Sequence, residues 1–373
     1  MKLLVLGGSD FVGRTAVEQA LALGWDITVL NRGTTASDSR VTQLRGDRRA
    51  ADGLDSVREG NWDIAFDTWS WEPGVVAQSA SVLADRVRSY VYVSSRSVYD
   101  APGAGATETW PTVQGPGDDY ARSKLGGEQA AVTAFGVRAL LVRAGLILGP
   151  YENIGRLPWW LNRIGQERSL RSDQSRQERS LRSDQSRQER SLRSDQSRQE
   201  RSLRSDQNGR AGDVLAPGPA DLALQYIDAR DLVGWSLDAA ARGLGGPYDV
   251  VSRPGHATMR EVLQACVAAT RSDARLRWVE PDVLSAAGVQ PWTELPIWIP
   301  PGADHDSLHA SDVSKAFAEG LRARPIQETV ADTWTWLQSV NGEASTRRDR
   351  PPVGLSGDRE AAILAGVGRA EGR

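Results

Sequence analysis

The sequence has little cysteine and no long hydrophobic run, and each of these two shortages excludes a class of protein. One cysteine, Cys266, among 373 residues excludes an internal disulfide framework and fits a reducing compartment. The longest apolar stretch, residues 139–150, is interrupted by Arg143 and is too short to span a bilayer. Because Met1 leads directly into a predicted strand, we expect no signal peptide and a cytoplasmic protein without a membrane partner.

The balance of charge also excludes a class. A net charge of −3 is too balanced to suggest a nucleic-acid binder, so we do not expect a nucleic-acid partner. The three histidines, His256, His305 and His309, lack metal-ligand spacing, so the sequence predicts no metal site.

The first fourteen residues, MKLLVLGGSDFVGR, have the pattern of a dinucleotide-binding motif. Residues 2–6 are a short apolar run typical of a strand that is buried on both faces, and residues 14–23 have a helical pattern. Between them, Gly7 permits a tight turn and Gly13 lets the helix pack closely on the strand. The N–H groups at the start of the helix can then face a pyrophosphate.

Further strand patterns alternate with helical ones along the first 150 residues. The strands are predicted at 26–30, 41–46, 62–68, 89–95 and 137–142, and the helices at 72–87 and 125–134. This alternation predicts an α/β fold with a Rossmann-type, doubly wound parallel sheet. In such sheets ligands bind beyond the carboxyl ends of the strands, and Ser95 stands at one such end.

The residues after the second strand bear on the choice of cofactor. This strand ends in Asn31-Arg32-Gly33, where an acidic residue would bond the ribose 2′-hydroxyl of NAD. An arginine here suits the 2′-phosphate of NADP, although a solvated arginine at a strand end is the alternative. The sequence therefore favours NADP and leaves NAD open.

Tyr120 and Lys124 stand four residues apart and so share one face of a helix. A phenol is a poor proton donor or acceptor at neutral pH, but a neighbouring ammonium favours the phenolate and draws a phenolic pKa toward neutrality. This spacing therefore indicates a catalytic pair.

With these motifs the chain resembles the extended short-chain dehydrogenase/reductase superfamily. Within it, the chain is similar to the NAD(P)-dependent epimerase/dehydratase family and most similar to a bacterial reductase-like branch. The segments that carry the resemblance are VLGGSDFVGR, VYVSSRSVYD, YARSKLGGEQ, LILGPYE, QYIDARDLVGW and PWTELPIWIP, which together extend over most of residues 1–340. The resemblance implies that Tyr120 is the acid/base, that Lys124 bonds the nicotinamide ribose and that Ser95 bonds the substrate oxygen. It makes Glu128 a structural helix residue.

The same resemblance assigns the cofactor to a set of residues along the first half of the chain. They are Gly7, Gly8, Ser9, Phe11, Val12, Gly13, Asn31, Arg32, Asp47, Thr68 and Lys124. Three positions depart from the family pattern, namely Asp10 and Asp100 in place of glycine and Ala144 in place of proline. Asp10 either caps the helix or weakens binding of the pyrophosphate.

The rest of the chain divides into a substrate lobe, an inserted arm and a tail. Residues 1–150 form the predicted Rossmann domain, residues 151–340 the substrate lobe, and residues 219–241 are expected to return to the first domain. Four copies of an eleven-residue unit, QERSLRSDQSR, fill residues 166–209, the last ending in Asn208-Gly209. With one leucine per unit, this insert is expected to be a solvated arm. Residues 341–373 are expected to be a polar tail with one amphipathic helix at 358–368.

Tryptophans are frequent in the predicted substrate lobe, at positions 159, 160, 292 and 298. They either pack the core or line an aromatic pocket for a flat substrate.

These patterns favour an NADP-dependent reductase or dehydrogenase that acts on a small-molecule carbonyl or hydroxyl group. A nucleotide-sugar epimerase or dehydratase would use the same residues, and a non-catalytic nucleotide- or RNA-binding protein is the alternative of another class. The family resemblance also implies a homodimer that associates through the helices at 72–87 and 119–134.

Overall fold

The computed structural model describes residues 1–33, 38–115, 117–166, 212–347 and 351–371. The strands in these ranges are β1 (Lys2–Leu6), β2 (Asp26–Asn31), β3 (Thr42–Arg45), β4 (Trp62–Asp67), β5 (Val87–Ser95), β6 (Ala139–Ala144), β7 (Leu146–Leu148), β8 (Asp213–Pro217), β9 (Ala223–Leu224), β10 (Tyr226–Asp228), β11 (Gly246–Val250), β12 (Ala257–Thr258) and β13 (Arg275–Val279). The helices are α1 (Phe11–Ala22), α2 (Pro73–Leu83), α3 (Tyr120–Phe135), α4 (residues 156–166), α5 (Ala229–Ala241), α6 (Met259–Thr270), α7 (Pro281–Ala286), α8 (Ala303–His309), α9 (Ser314–Ala318), α10 (Ile326–Ser339) and α11 (Gly357–Glu371).

A parallel sheet forms the centre of the described chain. Its strand order is β11-β6-β5-β4-β1-β2-β3. The apolar run Leu3–Leu6 of β1 is buried because helices cover both faces of the sheet. The predicted α/β fold of the Rossmann type is therefore confirmed, and the carboxyl ends of β1, β2, β4 and β5 meet at one edge.

One detail of this sheet differs from the sequence-based prediction. β11 was not predicted, because a glycine pair and Pro247 interrupt the apolar pattern of this strand.

The helix that carries Tyr120 and Lys124 is α3. It begins at Tyr120, because the Asp119 carboxylate accepts a hydrogen bond from the Arg122 N–H and caps the helix. Tyr120 therefore occupies the first turn of α3.

A second core lies on the substrate side, among α4, α6, α10 and three two-stranded sheets. Trp160 and Trp298 are buried in it, and their indole N–H groups donate to the carbonyls of Pro296 (2.8 Å) and Gly218 (2.9 Å). For these two tryptophans the structure supports the packing interpretation. Trp292, in contrast, lines the cleft described below.

The C-terminal helix α11 packs against the second core. Glu360 is 4% exposed, and it accepts hydrogen bonds from Arg163 of α4 (2.6 Å) and from the Leu215 N–H of β8 (2.8 Å). Leu355, just before the helix, is also buried. The structure thus has a helix where the sequence predicted one at residues 358–368, and this helix packs against the second core.

The repeated segment predicted to be a solvated arm lies outside the described residues, apart from Gln166 at the end of α4. Its two flanks are held together, since the Arg163 guanidinium also donates to the Asp213 carbonyl (3.2 Å). Among the described helices, none is long and apolar enough to cross a membrane.

Deleting residues 177–207, so that Arg176 joins Asn208, should leave the melting temperature nearly unchanged. The reason is that the repeats offer one leucine in eleven residues for burial, while the flanks are joined by contacts outside the deleted part. Thermal unfolding of both proteins measures the effect. A melting temperature lowered by more than about 5 °C would mean that the repeats pack on the fold.

Glu360→Gln serves as the control for this deletion. It keeps every repeat but breaks a buried ion pair at the flanks, so its melting temperature should fall clearly below that of the deletion variant.

Candidate active site

A cleft of about 1360 Å³ opens at the carboxyl edge of the sheet. One end lies beside the Gly-rich turn after β1, and the other lies among residues of the substrate side, including Asn153, Trp292 and Leu308. The structure places Tyr120, Lys124 and Ser95 in the lining of this cleft. It thus brings together, from distant parts of the chain, the catalytic residues predicted from the sequence.

The Gly-rich turn has the geometry of a phosphate cradle. Gly7 has a φ of +102°, a backbone conformation that residues other than glycine rarely adopt. A Cβ on Gly13 would lie 2.7 Å from the Gly7 carbonyl oxygen, so α1 can approach the turn only because this residue is glycine. Ser9 of the turn and Phe11 and Val12 at the start of α1 also line the cleft.

Gly8 also has a packing reason to be glycine. A Cβ at this position would lie 3.0 Å from Val17 and 3.1 Å from Val29, so the lack of a side chain lets α1 pack on β2. Contact of Gly8 with a cofactor stays a prediction.

Asp10 occupies the N-cap position of α1 with extended backbone, but its side chain makes no capping hydrogen bond. The capping interaction expected from the sequence is therefore wrong, although the helix does begin at the next residue. The exposed carboxylate instead lies at the cleft lining.

Asn31, the last residue of β2, is hydrogen-bonded to the Gly-rich turn and to β3. The Asn31 amide donates to the Ser9 hydroxyl (3.1 Å), and its carbonyl oxygen accepts from the Gln43 amide (2.9 Å) and the Gly33 N–H (2.9 Å). Arg32, next in the chain, is exposed and lines the cleft. This guanidinium is therefore placed where it can meet a ligand that occupies the cleft.

A buried ion pair supports the floor of the cleft and was not predicted from the sequence. Arg48 donates to both carboxylate oxygens of Asp67 (2.7 and 2.6 Å), which also accepts from the Tyr90 hydroxyl (2.5 Å) and the Trp69 N–H (2.9 Å). Although burial alone would raise the pKa of Asp67, the Arg48 guanidinium holds this pKa below its ordinary value. The pair fixes the loop of Thr68 and Trp69, which follows β4 and lines the cleft.

Lys124 is 2% exposed, and its ammonium donates to the carbonyls of Trp69 (2.7 Å) and Val93 (2.7 Å). These bonds connect α3 to the loop after β4 and to β5. They hold the positive charge at the centre of the cleft, one helical turn from Tyr120. The Tyr120 ring meets the Trp71 indole edge to face, with 5.7 Å between ring centroids.

Ser95 is the last residue of β5, and the Ser95 hydroxyl accepts a hydrogen bond from the Ser97 N–H (3.1 Å). The preceding residue, Ser94, is bonded to α3. The Ser94 hydroxyl donates to Glu128 (2.6 Å), and Arg143 donates to both oxygens of the same carboxylate (2.9 and 2.7 Å). Glu128 lies one turn after Lys124 on α3, so this carboxylate joins the helix of Tyr120 to the strand of Ser95.

More cationic than anionic residues line the cleft, although Arg48 and Arg96 are paired with the buried carboxylates of Asp67 and Asp249. Seven cationic residues are among the lining, against two carboxylates, in a chain whose net charge is −3. The cations are Arg32, Arg48, Arg49, Arg96, Lys124, Arg156 and Arg347, and the carboxylates are Asp10 and Asp47. Among the described residues, none forms a group of histidine, cysteine or carboxylate side chains that could hold a metal ion.

The fold is thus a Rossmann-type α/β fold, with its cleft at the carboxyl edge of the parallel sheet. A cradle that excludes a Cβ at Gly13, together with a cationic lining, fits a dinucleotide with its pyrophosphate at the start of α1.

Comparison with known proteins agrees with this fold. The model of the NAD dependent epimerase/dehydratase family matches residues 75–181. A UDP-glucose 4-epimerase of Corynebacterium glutamicum is 30% identical over 185 residues, which cover 42% of this chain and 54% of the relative. The chain thus matches about half the length of this curated relative.

Solved structures extend the likeness over most of the chain. WbmH of Bordetella bronchiseptica, in complex with NAD+, superposes with a TM-score of 0.59 at 13% identity, covering 90% of this chain and 98% of the other. The UDP-glucose 4-epimerase of Thermus thermophilus, in complex with NAD, gives 0.57 at 19% identity, covering 91% and 99%. WbmG of Bordetella bronchiseptica, with NAD and UDP, gives 0.58 at 15% identity, covering 94% and 99%.

At such low identity these structures establish the fold alone. Together with the match of residues 75–181, they confirm the predicted resemblance to the NAD(P)-dependent epimerase/dehydratase family.

Asp67→Asn should lower the free energy of unfolding by about 3 kcal/mol, the scale of a buried ion pair broken on one side. The substitution leaves Arg48 charged and buried without its carboxylate. Because the pKa of Asp67 is lowered in the folded state, its contribution is complete above the unfolded-state pKa of about 3.9 and is lost as pH falls through the folded-state pKa. Urea denaturation at neutral pH measures the difference.

Asp63→Asn is the matched control, since Asp63 lies on the same strand and its bond to the Lys2 N–H is exposed. This variant should change stability by about 0.5 kcal/mol or less. Equal losses in the two variants would contradict the structural role given to Asp67.

Proposed function

We propose that this protein transfers a hydride, with NAD(P), at a carbon that carries a hydroxyl or carbonyl group in a small-molecule substrate. The observation that supports this proposal is the presence of Tyr120, Lys124 and Ser95 in one cleft with the Gly-rich turn. When bound, the nicotinamide supplies or accepts the hydride. The chain's own residues bind the substrate, orient it and move the proton.

In this proposal Tyr120 exchanges a proton with the substrate oxygen as general acid or base. The buried Lys124 ammonium lies one helical turn away and favours negative charge on the phenolic oxygen when the proton leaves. Ser95 hydrogen-bonds the same substrate oxygen and orients it. Trp71 packs edge to face on the phenol and so helps to orient the Tyr120 ring.

Nucleotide sugars are the substrate class that we propose to test first. The cationic lining of the cleft favours a ligand with phosphate groups, and the matched relatives include UDP-glucose 4-epimerases. Epimerisation or dehydration would begin with the same proton and hydride transfers as dehydrogenation. The intact Tyr120–Lys124 pair argues against the alternative of a non-catalytic nucleotide- or RNA-binding protein.

Tyr120→Phe should reduce turnover of UDP-glucose by about 10²–10⁴-fold, the usual contribution of general acid–base catalysis. Cofactor affinity should stay the same, because the phenyl ring keeps its contact with Trp71. Product analysis by chromatography, with added NAD or NADP, measures turnover. Tyr151→Phe, whose hydroxyl lies outside the cleft lining, is the control and should keep wild-type activity. Full activity of Tyr120→Phe would contradict the proposed acid/base.

NADP is the cofactor that the sequence favours, and the relatives named above were solved with NAD. If Arg32 meets the 2′-phosphate, Arg32→Ala should weaken NADPH binding by about 1.5–3 kcal/mol, the value of a hydrogen bond to a charged group. NADH binding should hardly change. Fluorescence titration with both cofactors measures the two affinities.

Arg40→Ala is the control for Arg32→Ala, because Arg40 is exposed, pairs with Asp38 and is not among the cleft-lining residues. It should alter neither affinity. Equal losses of NADPH and NADH in Arg32→Ala would show that this residue does not select between them, and NAD would then be the preferred interpretation.

A further inference from the structure

Arg96 directly follows Ser95 in the chain, and its side chain reaches the substrate side of the molecule. The guanidinium is 4% exposed and donates to the carbonyls of Leu308 (2.9 Å) and Ser307 (3.0 Å) in the last turn of α8. A cation at the C-terminal end of a helix meets carbonyls that have no partner within the helix. Arg96 thus connects the turn of Ser95 to α8 across more than 200 residues of sequence.

A buried carboxylate, that of Asp249, holds this guanidinium in position on the side away from α8. The Arg96 Nε lies 3.5 Å from a carboxylate oxygen of Asp249, which is completely buried at the end of β11. The other oxygen of Asp249 accepts from the Tyr99 hydroxyl (2.7 Å), and the same hydroxyl accepts from Arg143 (3.1 Å). The support of Arg96 therefore continues into the ion pair of Arg143 and Glu128, which joins β6 to α3.

Both ends of the contact belong to the cleft. Ser95 and Ser97 line it from the Rossmann side, and Ser307 and Leu308 line it from α8. Two backbone hydrogen bonds follow the same interface, from the Gly105 N–H to the Ala310 carbonyl (2.6 Å) and from the Asp312 N–H to the Ala106 carbonyl (3.0 Å). These two bonds involve residues that follow α8 in the chain, whereas Arg96 bonds the cleft-lining residues Ser307 and Leu308 within the helix.

We propose that Arg96 is a positioning residue of the active site, which holds α8 against the Ser95 turn and so sets the substrate end of the cleft. Its planar fork of donors matches two consecutive carbonyls, which a single ammonium matches less well. The effect on catalysis rests on the proposed function, whereas the effect on α8 does not.

The test compares Arg96→Gln and Arg96→Lys with Arg88→Gln as a matched control. Arg88 lies on the same strand as Ser95, and its guanidinium also donates to a carbonyl at a helix end, that of Ala241, but far from the cleft. For Arg96→Gln, we expect kcat/KM with UDP-glucose to fall by about 10²-fold, mainly through KM, the scale of a misplacement of 1 Å. NADH affinity should stay unchanged, Arg96→Lys should recover part of the loss, and Arg88→Gln should behave as wild type.

Hydrogen exchange of the amides in α8, followed by mass spectrometry on the NAD-loaded protein, decides the structural part independently. Exchange should be faster in Arg96→Gln than in Arg88→Gln, with Arg96→Lys between them. If Arg96→Gln does not fold, the comparison of Arg96→Lys with Arg88→Gln carries the test.

The outcomes separate this inference from the proposed function. If the wild-type protein turns over no nucleotide sugar, the proposed substrate class fails, but faster exchange in α8 still supports the inference. Unchanged exchange in α8, or a loss of kcat/KM that comes entirely from weaker NADH binding, overturns it.

Discussion

The buried ammonium of Lys124 is the contact on which the geometry of the site depends. By donating to the carbonyls of Trp69 and Val93, it joins the first turns of α3 to the ends of two neighbouring strands. A lysine is buried at this depth only when its charge is satisfied by hydrogen bonds or opposite charges. The same two bonds therefore retain the charge in the cleft and fix its distance from Tyr120.

Other buried charges extend this arrangement outward from the cleft. Glu128 and Arg143 join α3 to β6, Arg48 and Asp67 hold the loop after β4, and Arg96 with Asp249 reaches α8. Buried ion pairs are costly to desolvate, and apolar packing could often replace them without loss of stability. We interpret their concentration at one edge of the sheet as a means of holding the cleft walls in fixed positions.

Local patterns in the sequence predicted much of this structure. The apolar run before Gly7 and the spacing of Tyr120 and Lys124 are signals within a few residues, and both led to the correct elements. β11 was missed because a glycine pair and Pro247 obscure it. Asp10 was misjudged because a residue type that favours N-caps does not determine where its carboxylate points.

Contacts between distant residues were beyond the reach of these patterns. Arg48 and Asp67 are 19 residues apart, and Arg96 and Ser307 are 211 residues apart. A local sequence pattern therefore cannot predict either contact. Only the parallel sheet, by bringing the strand ends to one edge, places such residues together. The predicted dimer through α2 and α3 is likewise a contact that the single chain does not test.

The central claim is that the cleft at the strand ends binds a nicotinamide dinucleotide, and direct titration tests it. Purified protein would be titrated with NADPH and with NADH while the fluorescence of the reduced nicotinamide is followed. The account predicts saturable binding of at least one of the two, competed by the matching oxidised cofactor. Absence of binding by both cofactors, in protein shown to be folded by circular dichroism, would contradict it.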